Sequence, residues 1–412
     1  MKICIFGGGP TGMRLSDNLS KKGYNVTLYE EEEELGGIWR ADWDDGYYVE
    51  YSPKLFSDKW KKFRSLLKTI DTGIPLICEM GDSKFLKYLY RHLSIIETAE
   101  FLRTLYMTND KDKRTVETWS KASFSEKGQK CVRDLCLAVL SEEKITPLYI
   151  FTNVINELKY SRLRNFKSND LWLKIWEEKM RSRVTFIKNT KLDSLRVEKG
   201  KVIGALTSKG EISGFDSYIC AFPHRELYKI QLKSENDLLK NNWPKLKEGS
   251  DFEGFGFQLH FDSKNDDLGQ ICDFTEITDW NIRVLKISEY SDCFTRRNNI
   301  RGVWSCFIKD MEKINGINNK DDVVNEAIRQ LSNVFGFSIT PFHVTTSKGL
   351  ERVDGKWTSQ NSGHNKIFDV DVLNQKGKYI DNLYSVGCHN LPKMSTIETS
   401  FESADIFLEK YG

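Results

Sequence analysis

The opening segment KICIFGGGPTG, residues 2–12, constrains the fold more than any other part of the chain. A short apolar run suited to a buried parallel strand leads straight into Gly7, Gly9 and Gly12 in G-x-G-x-x-G spacing. Each glycine has its own task. The first permits a tight turn, the second lets the backbone approach a pyrophosphate, and the third allows a helix to pack closely on the strand. Phosphates would then lie on the free N–H groups at a helix start, which brings Pro10 and Thr11 into the site. A helix is predicted over residues 10–22, with Met13, Leu15, Ser16 and Leu19 inward, a basic end and Gly23 as the stop. Residues 25–29 (NVTLY) read as the next strand. A carboxylate at the end of that strand can accept both ribose hydroxyls of a dinucleotide, and Glu30 stands there, 23 positions after Gly7. The other glutamates of the run, residues 31–34, read as a solvated acidic loop.

Gly36 and Gly37 follow, then Trp39 and Arg40. With these residues the segment resembles the FAD-binding flavoprotein superfamily that includes monoamine and amino-acid oxidases, phytoene desaturases and protoporphyrinogen oxidase. In that superfamily a glycine pair follows the ribose acid, its backbone runs along the FAD phosphates, and an arginine comes next. The resemblance therefore implies that Gly36, Gly37, Trp39 and Arg40 join Gly7, Gly9, Pro10, Thr11, Gly12 and Glu30 around FAD. "GGIW" is also similar to flavin monooxygenases, which need a second glycine fingerprint for NADPH. None is found: Gly254 and Gly256 in FEGFGFQLHF lack a third glycine and a following helix, and read as a glycine-kinked strand.

The far end, residues 382–405 (NLYSVGCHNLPKMSTIETSFESAD), resembles the closing signature of the same superfamily, in which NLY-x-x-G leads through an acid to TIEGA-x-x-SG on a final helix. Residues 383–386 would be the strand and Gly387 the turn, and Ser395 with Glu398 would form a capping box. The resemblance sets Gly387, Cys388, Thr396 and Ile397 against the cofactor. It also aims the helix start at the flavin pyrimidine, where it would stabilise the anionic reduced form. Cys388 stands where those families carry Asp or Glu. A third block, residues 184–223, reads as a β-meander with turns at Lys199-Gly200 and Lys209-Gly210. In the resembling families such a meander gives a backbone contact to adenine at the place of Leu192, and the strand SYICAFP after Asp216 returns to the main sheet.

The expected class is α/β: a Rossmann-like FAD-binding domain with an interleaved α+β substrate domain. At 412 residues two domains are expected. The cofactor domain would comprise residues 1–55, 184–232 and 370–412, and the substrate domain residues 56–183 and 233–369. Within the latter, residues 131–140 and 171–180 read as helices. Residues 255–261 read as a strand with Phe255, Phe257, Leu259 and Phe261 on one face, and residues 322–335 as a helix closed by Gly336.

Composition narrows the function. Basic and acidic residues nearly balance, 61 against 59, so no overall field favours nucleic acid or an anionic membrane. Met1 directly before the first strand predicts no signal peptide, and no apolar run is long enough to span a bilayer. Nine cysteines without C-x-x-C pairing predict free thiols in a reducing compartment, hence a cytoplasmic location. The six histidines show no ligand spacing, so no metal site is expected. No cysteine or histidine lies in a flavin attachment motif of the resembling families, so FAD would be held noncovalently.

For the substrate, residues 46–60 (GYYVEYSPKLFSDKW) are where the family chain passes over the flavin. Tyr51, Lys54 and, further on, Trp357 are the candidate contacts. Two readings of Lys54 stand side by side, a partner for a substrate carboxylate and a solvated side chain. The resemblance implies hydride transfer from a small soluble substrate, an amine or amino-acid-like molecule, to flavin N5, with molecular oxygen a candidate acceptor. Oxidases of that kind carry a lysine near N5 on a strand that would match residues 254–261, and no lysine lies there. Two alternatives remain. A polyene-type desaturase would need an apolar membrane-dipping surface, for which a mean hydropathy of -0.49 offers little support. A non-redox FAD isomerase is suggested by the similarity of YSPKLF to YGPHIFHT of UDP-galactopyranose mutase.

Overall fold

Lys2–Phe6 is the middle strand of a five-stranded parallel sheet, and that place explains why its sequence shows no polar alternation. Asn25–Tyr29 and Ser217–Cys220 flank it, and Val184–Ile187 and Leu383–Ser385 form the edges. Ile3 and Ile5 face the helices Pro10–Lys21 and Ile397–Lys410 through Met13, Leu15, Phe401 and Ala404. Cys4 and Phe6 face the other way, onto Leu192, Leu195 and Val202 of an antiparallel meander built from Leu192–Glu198, Lys201–Thr207 and Gly210–Ser213. With apolar neighbours on both faces, residues 3–6 are apolar throughout. The computed structural model describes the chain except residues 53, 72–76, 83–84, 140, 160, 167–168, 245, 247–252, 264–270, 273–277, 290–296, 298 and 360–373.

The fold class is α/β, a Rossmann-like layer joined to α+β structure drawn from two long insertions. One insertion is mainly helical. Phe85–His92, Ile95–Met107, Val116–Ser123, Glu126–Ala138 and Leu148–Leu158 pack around Phe101, Trp119, Val132 and Phe151. The other carries a second five-stranded sheet in which Phe255–Phe261 lies between Gly302–Ile308 and His343–Thr346, antiparallel to both. Its apolar face, with Phe255, Phe257, Leu259 and Trp304, packs on Val323, Val324, Ala327 and Leu331 of the helix Lys320–Phe335. Among the described residues no helix is long and apolar enough to cross a membrane.

Some predicted boundaries move, each for a local reason. The helix expected over 131–140 runs Glu126–Ala138. Its cap, Ser125, accepts from the Gly128 N–H in a polar first turn that carries no apolar period; residue 140 lies outside the described residues. The helix expected from 322 begins at Lys320, capped by Asn319, and ends at Gly336 with φ +74°. The Ser395–Glu398 capping box does not form. Thr396 is the cap of the closing helix and accepts from the Thr399 N–H at 3.1 Å. Glu398 instead accepts from the N–H groups of Lys62 and Phe63, at 2.9 Å each, at the start of the helix Lys61–Ile70. That helix has no side-chain cap of its own, so a carboxylate from a remote segment satisfies two of its free donors.

Candidate dinucleotide site

The glycine turn has the stereochemistry its spacing requires. Gly7 has φ +103°, its N–H donates to Tyr29 O at 2.8 Å, and a side chain there would press on Ala221 O. A Cβ on Gly12 would collide with Gly7 O, so helix and strand meet only because that atom is missing. At Gly9 a Cβ would meet nothing within 4 Å, which leaves the backbone open to a close ligand. Gly9 also precedes a helix start without a side-chain cap, so its first donors remain for an anion.

The second glycine pair is tied to this turn. Gly36 N–H donates to Gly8 O at 2.8 Å, and Gly36 and Gly37 both lie in the positive-φ region, at +120° and +54°. A Cβ on Gly37 would stand 3.3 Å from Gly9 Cα. Glu30 is buried beneath the same turn. One carboxylate oxygen accepts from Gly8 N–H at 2.5 Å and the other from Glu32 N–H at 3.0 Å, leaving acceptor capacity on both for ribose hydroxyls. Burial pushes its carboxyl up, and the two N–H groups and Arg40 oppose that push. Arg40 bonds Asp42 at 3.2 Å and Glu34 O at 3.2 Å, and pairs with Glu32 at 3.4 Å. Burial works against its charge, and Asp42 and Glu32 outweigh it.

The closing segment supplies the opposite wall. Gly387 N–H donates to Asn390 Oδ1 at 2.7 Å, which shapes a short 3-10 turn over Cys388–Asn390. The Cys388 thiol sits 3.0 Å from Ser400 Oγ and donates to Thr396 O at 3.4 Å, so it ties the turn to the start of the closing helix. Burial pushes this thiol up, which keeps it protonated.

These elements enclose a cavity of about 580 Å³. It runs from Gly7, Gly9, Pro10, Thr11 and Glu30 past Gly37, Trp39 and Arg40, with Leu192 at one end and Gly387, Cys388 and Thr396 at the other. Three expected contacts do not border it. Gly12 and Gly36 act through backbone packing, and the Ile397 side chain is fully buried in the core behind the helix. Sequence reading missed Asp42 and His389, which do border it. His389 Nε2 lies 2.7 Å from Ser385 Oγ; burial and His224 push its imidazole down to about 3, so it stays neutral. Its place beside Cys388 was the available signal. Among the described residues no group of three or more metal-ligating side chains gathers anywhere.

The three candidate substrate residues separate. Tyr51 borders the cavity, its ring 5.4 Å from that of Phe307. Lys54 is 4 % exposed, neither solvated nor on the cavity wall, and its Nζ has no hydrogen-bond partner among the described residues. Burial lowers its ammonium to about 8, against the pull of Glu50 and Asp42. Trp357 is placed elsewhere: its indole N–H donates to Ile317 O at 2.8 Å and its ring packs 5.5 Å from Phe255 in the core of the second sheet. The glycine-kinked strand now has a purpose. A Cβ on Gly256 would collide with Tyr51 O, so the bare backbone lets residues 50–51 lie against Phe255–Phe261. Gln258 clamps that approach, accepting from Glu50 N–H at 3.2 Å and donating to Glu50 O at 2.9 Å.

Comparison with known proteins agrees with this geometry. Residues 5–70 match the family described as an NAD(P)-binding Rossmann-like domain. No curated protein matches the chain by sequence. Among solved structures, an oxidoreductase from Methanosarcina mazei superposes with a TM-score of 0.72 at 12% identity, over 100% of both chains. A putrescine oxidase variant gives 0.68 at 11% identity, over 99% of this chain and 98% of that one. Cyclohexylamine oxidase from Brevibacterium oxydans gives 0.63 at 12% identity, over 99% of each. The chain shares the fold of these oxidoreductases, a Rossmann-like layer with α+β insertions. Since the likeness spans both chains from end to end, the two insertions belong to that fold as well as the parallel sheet.

Proposed function

We propose that this protein is an FAD-dependent oxidoreductase that takes hydride from a small soluble substrate of amine or amino-acid type. The observation that carries the reading is the single cavity joining the buried Glu30 and the open Gly9 backbone to the start of the closing helix. Its two ends suit the two halves of a dinucleotide, one with a ribose acid and the other with a helix start. Residues 1–55, 184–232 and 370–412 form the cofactor domain on this reading, and residues 56–183 and 233–369 form the substrate domain.

FAD, held noncovalently, supplies the hydride acceptor at N5. The residues do the rest. Glu30 accepts the ribose hydroxyls, the uncapped start of Pro10–Lys21 and the Gly37 backbone receive the pyrophosphate, and Arg40 adds positive charge beside it. The Leu192 backbone meets adenine. Thr396 caps the closing helix so that its dipole favours negative charge at the pyrimidine end. Tyr51 and Glu50 line the wall against which a substrate lies. Lys54 acts on that wall through Glu50, because it does not reach the cavity itself.

The reading is tested on purified protein. It is expected to be yellow, to release all its flavin as FAD on acid precipitation, and to bleach anaerobically with an amine or amino acid, with colour returning under oxygen. Colourless protein that takes up no FAD would sink the cofactor assignment. A yellow protein that no amine or amino acid bleaches would sink the substrate assignment.

A further inference from the structure

The helix Ile95–Met107 is apolar at both ends of the face it turns away from the protein, on either side of the Arg103–Glu100 ion pair. Its inward face places Thr98, Phe101, Thr104 and Leu105 in the helical core. Outward, Ile95 and Ile96 are 87% and 82% exposed, and Tyr106 and Met107 are 67% and 66% exposed. Positions 95, 99 and 106 and positions 96 and 107 follow the helical repeat, so these side chains lie along one side of the helix, with the Arg103–Glu100 ion pair between its two ends. A helix that is apolar on both faces is normally covered on both.

The surroundings indicate what covers it. Lys87 and Arg91 are exposed on the preceding helix Phe85–His92, and Lys127 and Lys130 are exposed on Glu126–Ala138. Lys127, Arg91 and Lys130 all act on the half-buried His92, which burial and these three cations push down. Carboxylates on this side are mostly engaged. Glu100 pairs with Arg103, which leaves Glu126 and Glu97, the latter held ionised by its bonds from Ser94 and Ser125, against four cations. Beyond the other end of the stripe, Lys111, Lys113 and Arg114 outnumber Asp110 and Asp112. An apolar stripe bordered by cations suits the boundary between lipid headgroups and acyl chains. A second copy of the chain, related by a twofold axis, would instead bring like charges together.

We propose that the outer face of the helix Ile95–Met107 docks on an anionic lipid surface, with Ile95 and Ile96 inserted and Lys87, Arg91, Lys127 and Lys130 on the headgroups. Full-length protein is tested by co-sedimentation with phosphatidylcholine vesicles with and without phosphatidylglycerol. Binding is expected only with the anionic lipid, and is expected to fall as salt rises. The pair Ile95→Ser and Ile96→Ser is expected to weaken partitioning roughly tenfold or more. Lys127→Gln and Lys130→Gln are expected to weaken it roughly fivefold per charge. All four positions are exposed, so unchanged circular dichroism and melting show that the variants remain folded. Failure of the wild type to bind anionic vesicles at low salt overturns the proposal, as does binding that none of the four changes affects. Self-association of the wild type that the serine pair abolishes would assign the stripe to a second copy, and overturns it too.

Discussion

Lys2–Phe6 and Phe255–Phe261 are both central strands, and both are almost wholly buried, yet they are built on opposite rules. The first is apolar on both faces because helices cover one side and the meander the other. The second alternates, and its polar members Gln258 and His260 are as buried as its phenylalanines. That face does not meet water. It meets the backbone of residues 48–51, whose N–H and C=O groups require partners. The glycine-turn side of the molecule is thus held by missing side chains and the second-sheet side by polar ones.

Five substitutions probe that contrast, beginning with the largest effect. Gly12→Val would set a branched side chain against Gly7 O at a contact that cannot yield. It is expected to abolish flavin retention and to cost more than the roughly 1–3 kcal/mol of ordinary overpacking. A yellow Gly12→Val protein of normal melting temperature would show that the turn tolerates a side chain. Lys54 comes next. Its ammonium falls from 10.5 to about 8 on folding, so the unfolded chain binds the extra proton between those values and stability rises with pH across that window. The rise attributable to this residue is up to about 3 kcal/mol, and Lys54→Met should remove it. Denaturation measured across the window in both proteins decides; parallel curves would mean that Lys54 is solvated.

Smaller effects separate the two sides. Glu30→Ala is expected to weaken FAD binding by about 1.5–3 kcal/mol, a tenfold to hundredfold change, while the exposed Glu33→Ala leaves it unaltered. Gln258→Leu strips two partners from Glu50 and should cost about 1–3 kcal/mol of stability with flavin affinity unchanged. Flavin titration and urea unfolding of both variants test the separation, and loss of flavin in Gln258→Leu would show the two sides to be coupled. Cys388→Ser keeps a donor for Thr396 O and should shift flavin affinity by no more than about 0.5 kcal/mol. A large loss on titration would mean that the thiol itself meets the cofactor.

Much of the glycine-turn region could be read from local spacing. The turn at Gly7, Gly9 and Gly12, the acid Glu30 and the glycine pair lie within one short stretch, where chain connectivity forces them together. The insertions were less legible. Tyr51 borders the cavity while Trp357 lies in the core of the second sheet, since an aromatic residue looks the same in sequence in either place. Glu398 was read as a partner for its own helix, though it caps another. Overall charge likewise predicted no field for an anionic membrane, and folding is what gathers Lys87, Arg91, Lys127 and Lys130 on one surface.

The sequence by itself determined the elements whose partners are neighbours in the chain: the first strand, the glycine turn, the helix after it and the buried acid Glu30. Steric exclusion at a glycine and the period of a strand act over a few residues, so they are written locally. Only the tertiary structure decided that Lys54 is buried near Glu50 and Asp42, that Gln258 clamps Glu50, and that Gly256 makes room for Tyr51. Those outcomes depend on which remote backbone arrives at each side chain. Burial and hydrogen-bond satisfaction are settled by that arrival, across separations of about two hundred residues in the case of Gln258.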